Sequence, residues 1–505
     1  MGKTATFLMF LKVCKVPLQL FVLYLTARYF GTDIEKDIYL LCFSAITFLD
    51  GVLWGPFYET FRVKFVSLKE EKSEKIALKQ TQSFLSFFFV ISFFIIGVIF
   101  LFSTPIAQYL NPADSPDSLQ LVKKMLTYVT PILLINLLVQ VGTSILNAYG
   151  IFYIPEVSNM ISSLINIVII YLVVHNVGIY SLIIAHYVSN LILLLIIIYQ
   201  ISRRRIPLFA KKWNFRFEGF KIYFLFAIPF FFPFFASQLN TFLEKIFSKT
   251  LGIGALSTLD FSNKLPIMVN GMFYNLIAAL LIPELTKFFI RKEKEAFAQS
   301  LLTIWHFCLL AIGFYVAYVA GSSLEIAHVL FGSNKIPEEN LMQIANLSVL
   351  YAFSSFSVLT YYILGAVLLS SQQQKVYAFL AVMTQISIIG INCLVFVFDS
   401  IYIFPMSFLF SHALSSFIML RRVPFKEQVK WFDIRYFMMV LLQIFTVVVW
   451  RYLIQWFDND YVNLGVNFLV LSLVTILGMF LLRVDEITFI KNYLRRKGMK
   501  RGLFK

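Results

Sequence analysis

Residues 81–104 read TQSFLSFFFVISFFIIGVIFLFST, and none of these 24 residues is charged. About 20 apolar residues in a helix cross the roughly 30 Å hydrocarbon core of a bilayer, so this stretch predicts a membrane-spanning helix. The whole 505-residue chain has a similar character, with 59% hydrophobic and 14% charged residues. Because water-soluble chains carry about 25% charged residues, the composition excludes a soluble globular protein and predicts an all-α polytopic membrane protein.

Fourteen windows of this kind recur along the chain, each bounded by charges or by Gly, Pro, Asn and Asp. We therefore predict about 14 transmembrane helices. Lys12 and Lys15 interrupt the first window and no small-residue cleavage site follows it, so we expect a retained helix and not a signal peptide. The windows lie at 5–29, 38–61, 81–104, 121–147, 153–174, 177–200, 221–249, 265–288, 297–320, 341–369, 376–398, 401–420, 434–456 and 461–483.

The charges in the connections test this count independently, because cytoplasmic connections collect Lys and Arg. If residue 1 is cytoplasmic, 32 of the 43 Lys and Arg residues lie in inside segments and six lie in outside connections. This distribution predicts that both termini are cytoplasmic. The basic tail, residues 486–505, is expected to lie on anionic lipid head groups, with docking to a partner protein as the alternative.

Two short patterns repeat at nearly the same offset. Residues 28–31 (RYFG) recur 221 residues later as 249–252 (KTLG), and residues 142–146 (GTSIL) recur 223 residues later as 365–369 (GAVLL). The agreement of the offsets with the helix count predicts two six-helix lobes of parallel topology, followed by two further helices. Transporters built from such halves bind substrate where the halves meet. The predicted lobes are residues 1–215 and 216–430, and the two further helices are residues 431–485.

Three charged residues are expected deep in the bilayer. Lys15 lies about ten residues into the first helix, near the midplane at 1.5 Å per residue, and Lys12 shares its helix face. Asp50 reaches a similar depth in the second helix. A charge at the bilayer centre costs about 2.5–3.5 kcal/mol, so each side chain should face water or a partner. We expect Lys12, Lys15 and Asp50 to line a cavity that binds a charged substrate; an ion pair between Lys15 and Asp50 is the alternative.

Further charges mark the predicted outer mouth and a candidate ion site. Arg28 lies at the end of the first helix, close to Asp37 in the sequence. Its charged group is expected either to form part of an outer gate or to snorkel to the membrane surface. Asp260 is expected at the same outer mouth. Both Asp260 and Lys264 are expected to lie in the outside connection before the eighth helix. In the seventh helix, Asn240 and Glu244 lie one turn apart and offer oxygens to a coupling cation. Consecutive helical residues point about 100° apart, so either Glu244 or Lys245 should face the cavity while the other snorkels.

No catalytic pattern occurs in the sequence, neither a phosphate-binding Gly-x-x-x-x-Gly-Lys-Ser/Thr loop nor a His-Glu-x-x-His pair. The four cysteines and five histidines are scattered, which predicts neither a metal site nor a disulfide framework. We therefore expect a transporter that is not an enzyme, has no cofactor and does not bind nucleic acid. An ion gradient of Na⁺ or H⁺, the membrane potential or the substrate's own gradient is expected to drive it.

Several stretches of the first three-fifths of the chain resemble the MurJ family of lipid II flippases. They are residues 27–31 (ARYFG) with Asp37, 131–134 (PILL), Gly142, 152–155 (FYIP), 260–266 (DFSNKLP) and 281–287 (LIPELTK). The superfamily also contains the O-antigen flippases (Wzx) and the MATE drug antiporters. The resemblance implies a cationic cavity that holds the pyrophosphate of an undecaprenyl-linked saccharide, and a lipid-tail groove formed by residues 431–485. Lys264 is similar to one cationic position of that cavity, and Lys15 lies near another.

This chain also departs from the family pattern. Asp50-Gly51 stands where a pair of arginines is expected, and Val22 stands where the first helix should carry an arginine. A cavity with fewer cations binds a pyrophosphate less tightly, so these positions leave the identity of the head group open.

The resemblance implies an alternating-access flippase in the bacterial cytoplasmic (inner) membrane that carries lipid II. Its implied partners are the lipid-linked oligosaccharide, membrane lipids and cell-wall synthesis proteins. An O-antigen or exopolysaccharide repeat-unit flippase is one alternative, and a MATE-like cation-coupled drug exporter, favoured by Asp50 and Glu244, is another. A membrane glycosyltransferase or polymerase is a third alternative, but its catalytic carboxylates need larger outside loops than this chain has.

Overall fold

The computed structural model describes residues 2–113, 115–204, 206, 215–453 and 458–484, with side chains from residue 14 onward except those of 59, 279 and 450–453. These residues form helices joined by turns and connections, with no β-strand among them. In chain order the helices are α1 Gly2–Phe30, α2 Ile34–Leu53, α3 Gly55–Glu71, α4 Glu74–Leu101, α5 Ser103–Leu110, α6 Pro116–Val129, α7 Ile132–Ala148, α8 Tyr153–Val177, α9 Tyr180–Arg203, α10 Phe217–Ser248, α11 Ala255–Leu276, α12 Ile282–Ile290, α13 Lys294–Phe331, α14 Glu338–Ser370, α15 Gln374–Asn392, α16 Val395–Phe398, α17 Ile403–Leu420, α18 Ile434–Leu453 and α19 Asp460–Leu481.

The helices agree with a multi-pass membrane protein. In the described part of the chain, ten helical stretches are long and apolar enough to cross a bilayer, and the shorter stretch Ile434–Val449 is also apolar. Within the described residues, each of the fourteen predicted windows lies on one helix or on two consecutive helices. The predicted all-α, polytopic fold is confirmed, while the number of crossings stays a prediction.

Several of the predicted windows contain a break in the helix. Within 38–61, α2 ends at Leu53 and α3 begins at Gly55, because Pro56 in the first turn of α3 has no backbone N–H to donate. Within 121–147, Pro131 separates α6 from α7 in the same way. In the predicted window 265–288, α11 begins earlier, at Ala255, and a π-helical turn at Ile277–Leu281 leads into α12.

The chain divides into two compact packing units. The first contains Met1–Ser257, Ser333–Ile336 and Val395–Asp399. Its aromatic core lies between α3, α4 and α10, where the Phe84 ring lies 4.1 Å from that of Phe88, and Phe61 stacks on Tyr223 at 5.0 Å. Because α10 packs in this core, the first unit continues beyond the lobe boundary predicted at 215–216. That boundary rests on the sequence repeat and stays a prediction.

The second unit contains Thr258–Gly332, Pro337–Leu394 and Ser400–Lys505. Within it, α18 and α19 pack against α13 through small residues and buried polar contacts. A Cβ atom at Gly321 would meet the Val447 side chain, and Asn467 Nδ2 donates to Ser322 Oγ at 2.8 Å. Ser322 has non-helical φ and ψ angles of −126° and 19°, so α13 kinks where this hydrogen bond is made. In lipid, close backbone approach and interhelical hydrogen bonds are the main forces that hold helices together.

A histidine joins three helix ends in the second unit. His328, in the last turn of α13, lies 3.2 Å from the Asp460 carboxylate at the start of α19. Its other ring nitrogen lies 3.3 Å from the carboxylate of Glu338 at the start of α14. The start of α19 is thus held beside the end of α13 and the start of α14, at the end that the predicted topology places outside.

Candidate functional site

The Asp37 carboxylate joins two segments that are far apart in the sequence. It lies in the first turn of α2 with 2% of the residue exposed. Gly254 N donates to Asp37 Oδ2 at 2.6 Å, Ser257 N donates to Asp37 Oδ1 at 2.9 Å, and Ser257 Oγ donates to the same Oδ1. These N–H groups belong to the start of α11, where a negative charge is favoured by the helix dipole. Asp37 therefore caps α11 from another helix.

The predicted outer-gate residues are only partly brought together. Arg28 is exposed and donates to Tyr24 Oη at 2.9 Å, one turn earlier in α1, so it does not contact Asp37. Asp33 instead contacts Lys335 Nζ at 3.5 Å. Gly254 and Ser257 were not predicted as site residues, because nothing in the sequence links them to a carboxylate 217 and 220 residues away.

Lys15 and Asp50 do not form the ion pair that was weighed as an alternative. Lys15 is half-buried in α1. Asp50 Oδ1 accepts a hydrogen bond from Tyr58 Oη at 3.1 Å, between α2 and α3. The side chain of Lys12 lies outside the described residues. A half-buried cation without an ion pair to Asp50 is compatible with a cavity-lining role, and that role stays a prediction.

The middle of α2 approaches α10 closely. A Cβ atom at Gly51 would overlap the side-chain amide of Gln238, so only glycine fits there without a shift of Gln238. Gly51 stands in the place of an expected arginine, and the structure gives a reason for a small residue at this position. No local sequence pattern predicts this contact between Gly51 and Gln238.

Asp260 and Lys264 lie on α11 and not in a connection, which corrects the expected placement. Lys264 Nζ is 2.9 Å from Asp260 Oδ1, at the spacing i, i+4 that places two side chains on the same face of a helix. Their side chains are 37% and 10% exposed, respectively. The predicted cavity cation and the predicted mouth carboxylate are therefore one ion pair, and Asp260 partly neutralises Lys264.

Asn240 and Glu244 are both buried on α10, each with 4% of the residue exposed. The ammonium group of Lys245 lies 3.3 Å from Glu244 Oε1, and the side chain of Lys245 is 14% exposed. The side chains of Glu244 and Lys245 therefore contact each other, whereas the sequence predicts that one of them snorkels. Glu244 therefore has a cation beside it.

No group of three or more His, Cys, Asp and Glu residues that could hold a metal ion occurs in the described ranges. Cys42 and Cys308 are buried and unpaired, and Cys14 is partly buried. Within each unit, the candidate residues are therefore paired or half-buried charges on helices. Such charges are costly in lipid and commonly mark the path of a substrate or an ion.

The fold is similar to those of solved membrane transporters. It is similar to the inward-facing structure of a multidrug resistance MATE family transporter of the MOP superfamily, with a TM-score of 0.62 and 12% identity over 87% of this chain and 99% of that chain. It is also similar to the inward closed conformation of the lipid II flippase MurJ, with a TM-score of 0.77 and 20% identity over 97% of this chain and 99% of that chain.

The sequence identifies the family. The model of the family "Lipid II flippase MurJ" matches residues 26–480, and the chain belongs to the MurJ family. Probable lipid II flippases MurJ from Buchnera aphidicola and Borreliella burgdorferi are 30% identical over 149 residues and 26% identical over 266 residues. These alignments span 29% and 51% of this chain, and 28% and 51% of the two relatives. A third, from Aquifex aeolicus, is 22% identical over 80% of this chain and 79% of the relative.

Proposed function

We propose that the chain is a flippase that moves an undecaprenyl-diphosphate-linked saccharide, lipid II first among them, from the cytoplasmic to the outer leaflet by alternating access. The observation that carries this proposal is the family match over residues 26–480, which includes the segments of every described site residue except Lys15. In this role the chain neither makes nor breaks a covalent bond, and it acts as a transporter without a catalytic group or cofactor.

The cationic side chains supply the chemistry that translocation needs. A diphosphate cannot cross the hydrocarbon core without compensation, because burying an unpaired charge costs far more than a hydrogen bond returns. Lys12, Lys15 and Lys264 are proposed to neutralise it during crossing. The ion pair between Lys264 and Asp260 supports this role for Lys264, because a cation held by one carboxylate keeps further donors for an incoming phosphate.

The hydrogen bonds of Asp37 support a gate at the predicted outer end. They join α2 to the start of α11, and the outer end cannot separate there until Asp37 releases Gly254 and Ser257. Asp260 is proposed for the same mouth, with Arg28 at its edge. Opening of this gate while the cytoplasmic side closes is the alternating step, and each state is populated according to what it binds.

The proposal also includes what drives transport and where the chain lies in the cell. Asn240 and Glu244 are proposed as oxygen donors to a coupling Na⁺ or H⁺, and the membrane potential is the other driving force considered. We place both termini and the basic tail, residues 486–505, in the cytoplasm of a bacterial cell, with the chain in the inner membrane. Membrane lipids contact its apolar surface, residues 431–485 receive the lipid tail, and cell-wall synthesis proteins are proposed partners.

Identifying the lipid that co-purifies with the gently extracted protein tests the proposed substrate. Mass spectrometry is expected to find an undecaprenyl-diphosphate carrying a disaccharide peptide. A repeat-unit oligosaccharide in its place would support the O-antigen alternative, and the absence of any prenyl-diphosphate lipid would favour the MATE-like exporter.

A further inference from the structure

The imidazole ring of His328 lies between two carboxylates that belong to different helices. Its Nδ1 is 3.2 Å from Asp460 Oδ2, in the first turn of α19, and its Nε2 is 3.3 Å from Glu338 Oε1, in the first turn of α14. His328 itself lies in the last turn of α13, and all three helices belong to the second unit. Because the two ring nitrogens point in different directions, the ring bridges the two helix starts.

This geometry fits a ring that carries a proton on both nitrogens. An ionised carboxylate only accepts hydrogen bonds, and a neutral imidazole has a single N–H group to donate. In the neutral ring, the lone pair of one nitrogen would therefore face a carboxylate oxygen at 3.2 or 3.3 Å. The imidazolium form donates to both Asp460 and Glu338, whereas the neutral form can hold only one of them.

The helix ends favour the same charges. His328 lies at the carboxyl end of α13, where a positive charge is stabilised by the helix dipole. Asp460 and Glu338 lie at the amino ends of α19 and α14, where a negative charge is stabilised. A positive ring between two negative carboxylates therefore suits all three helix ends at once.

No other cation takes the place of the ring. Among the described residues, no lysine or arginine forms an ion pair with Asp460 or Glu338. The other charged groups of these helix ends are the carboxylates of Glu325, Glu339 and Asp458, and none of them forms an ion pair or hydrogen bond with the ring in the described part of the chain.

Two further polar contacts join α13 to α19, and they do not depend on a proton. Asn467 Nδ2 donates to Ser322 Oγ at 2.8 Å, and Tyr318 Oη donates to Leu464 O at 3.3 Å. Amide and hydroxyl groups ordinarily keep the same charge between pH 5 and 8, whereas imidazole ordinarily changes its charge in this range. Only the contact at the start of α19 is therefore sensitive to pH near neutrality.

We propose that His328 is a proton-operated clamp for the start of α19. With a proton on both nitrogens, the ring holds Asp460 and Glu338 together. When the ring loses one proton as the pH rises, one carboxylate is released and the first turns of α19 loosen, while the contacts of Ser322 and Tyr318 keep the rest of α19 on α13. The side chain of His328 is 37% exposed, so protons exchange with the surrounding water. The inference concerns the packing of α19 and is independent of the lipid that the chain carries.

Hydrogen-deuterium exchange of residues 461–468 in the full chain tests the clamp at about pH 5 and about pH 8. Variants are compared with the unmodified chain at the same pH, since pH itself changes the exchange rate. At about pH 5, His328→Gln should exchange about three times faster than the unmodified chain, in line with the small energy of partly exposed ion pairs. At about pH 8 the two chains should exchange alike.

A second variant tests the role of the lone pair. In Glu338→Gln the new amide group can donate to a neutral ring, whose single N–H group then donates to Asp460. At about pH 8 this variant should therefore exchange more slowly than the unmodified chain. The side chain of Glu338 is 73% exposed, so its replacement leaves the packing of the unit intact.

The matched control is His175→Gln. His175 is an exposed histidine in the last turn of α8, and it forms no ion pair among the described residues. Exchange of residues 461–468 in this variant should match that of the unmodified chain at both pH values. The proposal is overturned if His328→Gln and the unmodified chain exchange alike at about pH 5, or if their difference is as large at about pH 8. It is also overturned if Glu338→Gln exchanges as fast as the unmodified chain at about pH 8.

Discussion

Asp37 shows how a buried charge is accommodated in this protein. With 2% of the residue exposed, its carboxylate accepts hydrogen bonds from two backbone N–H groups and one hydroxyl. A buried carboxylate without such donors would be strongly destabilising. Because all three donors come from Gly254 and Ser257, the same contacts that compensate the charge also hold α11 against α2.

Asp37→Asn should loosen this junction. The side-chain NH₂ group of asparagine cannot accept a hydrogen bond, so at least one donor at Gly254 or Ser257 loses its partner. Hydrogen bonds to charged groups contribute about 1.5–3 kcal/mol, which corresponds to an increase of about ten- to a hundredfold in local amide exchange. Hydrogen-deuterium exchange of residues 254–258 measures this effect, and lipid translocation should slow.

The matched control for this change is Asp117→Asn, an exposed aspartate in the first turn of α6. It removes the same charge at the same predicted side of the membrane and should leave exchange at residues 254–258 unchanged. Equal exchange in Asp37→Asn and Asp117→Asn would mean that Asp37 does not hold the two segments together.

The pair of Asp260 and Lys264 gives a second prediction at this scale. If Asp260 partly neutralises Lys264, then Asp260→Asn should strengthen binding of inorganic pyrophosphate by a factor of about three, in line with the small energy of a partly exposed ion pair. Lys264→Gln should weaken it, and the double variant should behave like Lys264→Gln. Calorimetric titration measures all three. Unchanged affinity in Lys264→Gln would remove Lys264 from the anion site.

The sequence and the structure agree unevenly at individual residues. The i, i+4 spacing of Asp260 and Lys264 could have predicted their ion pair, but the pair was placed in a connection, where helical spacing does not apply. The partners of Asp37 and Gly51 could not be predicted, because both contacts join segments about 190 to 220 residues apart. A single sequence has no local signal for such contacts.

The lengths of the apolar stretches predicted which segments are helical, but they did not predict where the helices are interrupted. The windows follow hydrophobicity, which continues across Trp54 and Pro131, whereas the helices end there for backbone reasons. The start of α11 was missed because its first turns carry polar residues that resemble a connection. The helical segments and their order were therefore predictable, and the exact boundaries were not.

The contact between α13 and α18 depends on a small residue at Gly321. A Cβ atom there would meet the Val447 side chain, so Gly321→Leu should push the two helices apart. Overpacking of this kind costs about 1–3 kcal/mol, and the thermal unfolding midpoint of the protein should fall by several degrees. Gly390→Leu on α15 is the matched control, since no atom lies within 4 Å of a Cβ at Gly390. Equal midpoints for the two variants would contradict the close packing at Gly321.

The whole molecule combines an apolar, helical body with an uneven distribution of charge. Its formal net charge of +16 comes mainly from the predicted inside segments, which hold 32 of the 43 cations. Composition alone therefore predicted the fold class, because nothing but a membrane protein can bury so much apolar surface with so few charges. The substrate could not be predicted in this way, since one fold serves drug antiporters and lipid flippases alike.

Lys15 connects the fold to the proposed activity. Charge reversal in Lys15→Glu should abolish translocation and leave the protein folded, because a half-buried carboxylate would repel the diphosphate that the ammonium group attracts. Lys124→Glu is the control: it makes the same change of charge at an exposed position of α6 and should translocate normally.

Translocation of a fluorescent undecaprenyl-diphosphate disaccharide peptide, in vesicles that contain the purified chain, tests the central claim most directly. A membrane-impermeant reductant bleaches only the label in the outer leaflet, so about half of the label survives in vesicles without a flippase. The account predicts nearly complete bleaching with the unmodified chain and with Lys124→Glu, and survival of about half of the label with Lys15→Glu. Survival of half of the label with the unmodified chain would contradict the proposal that this protein moves such lipids.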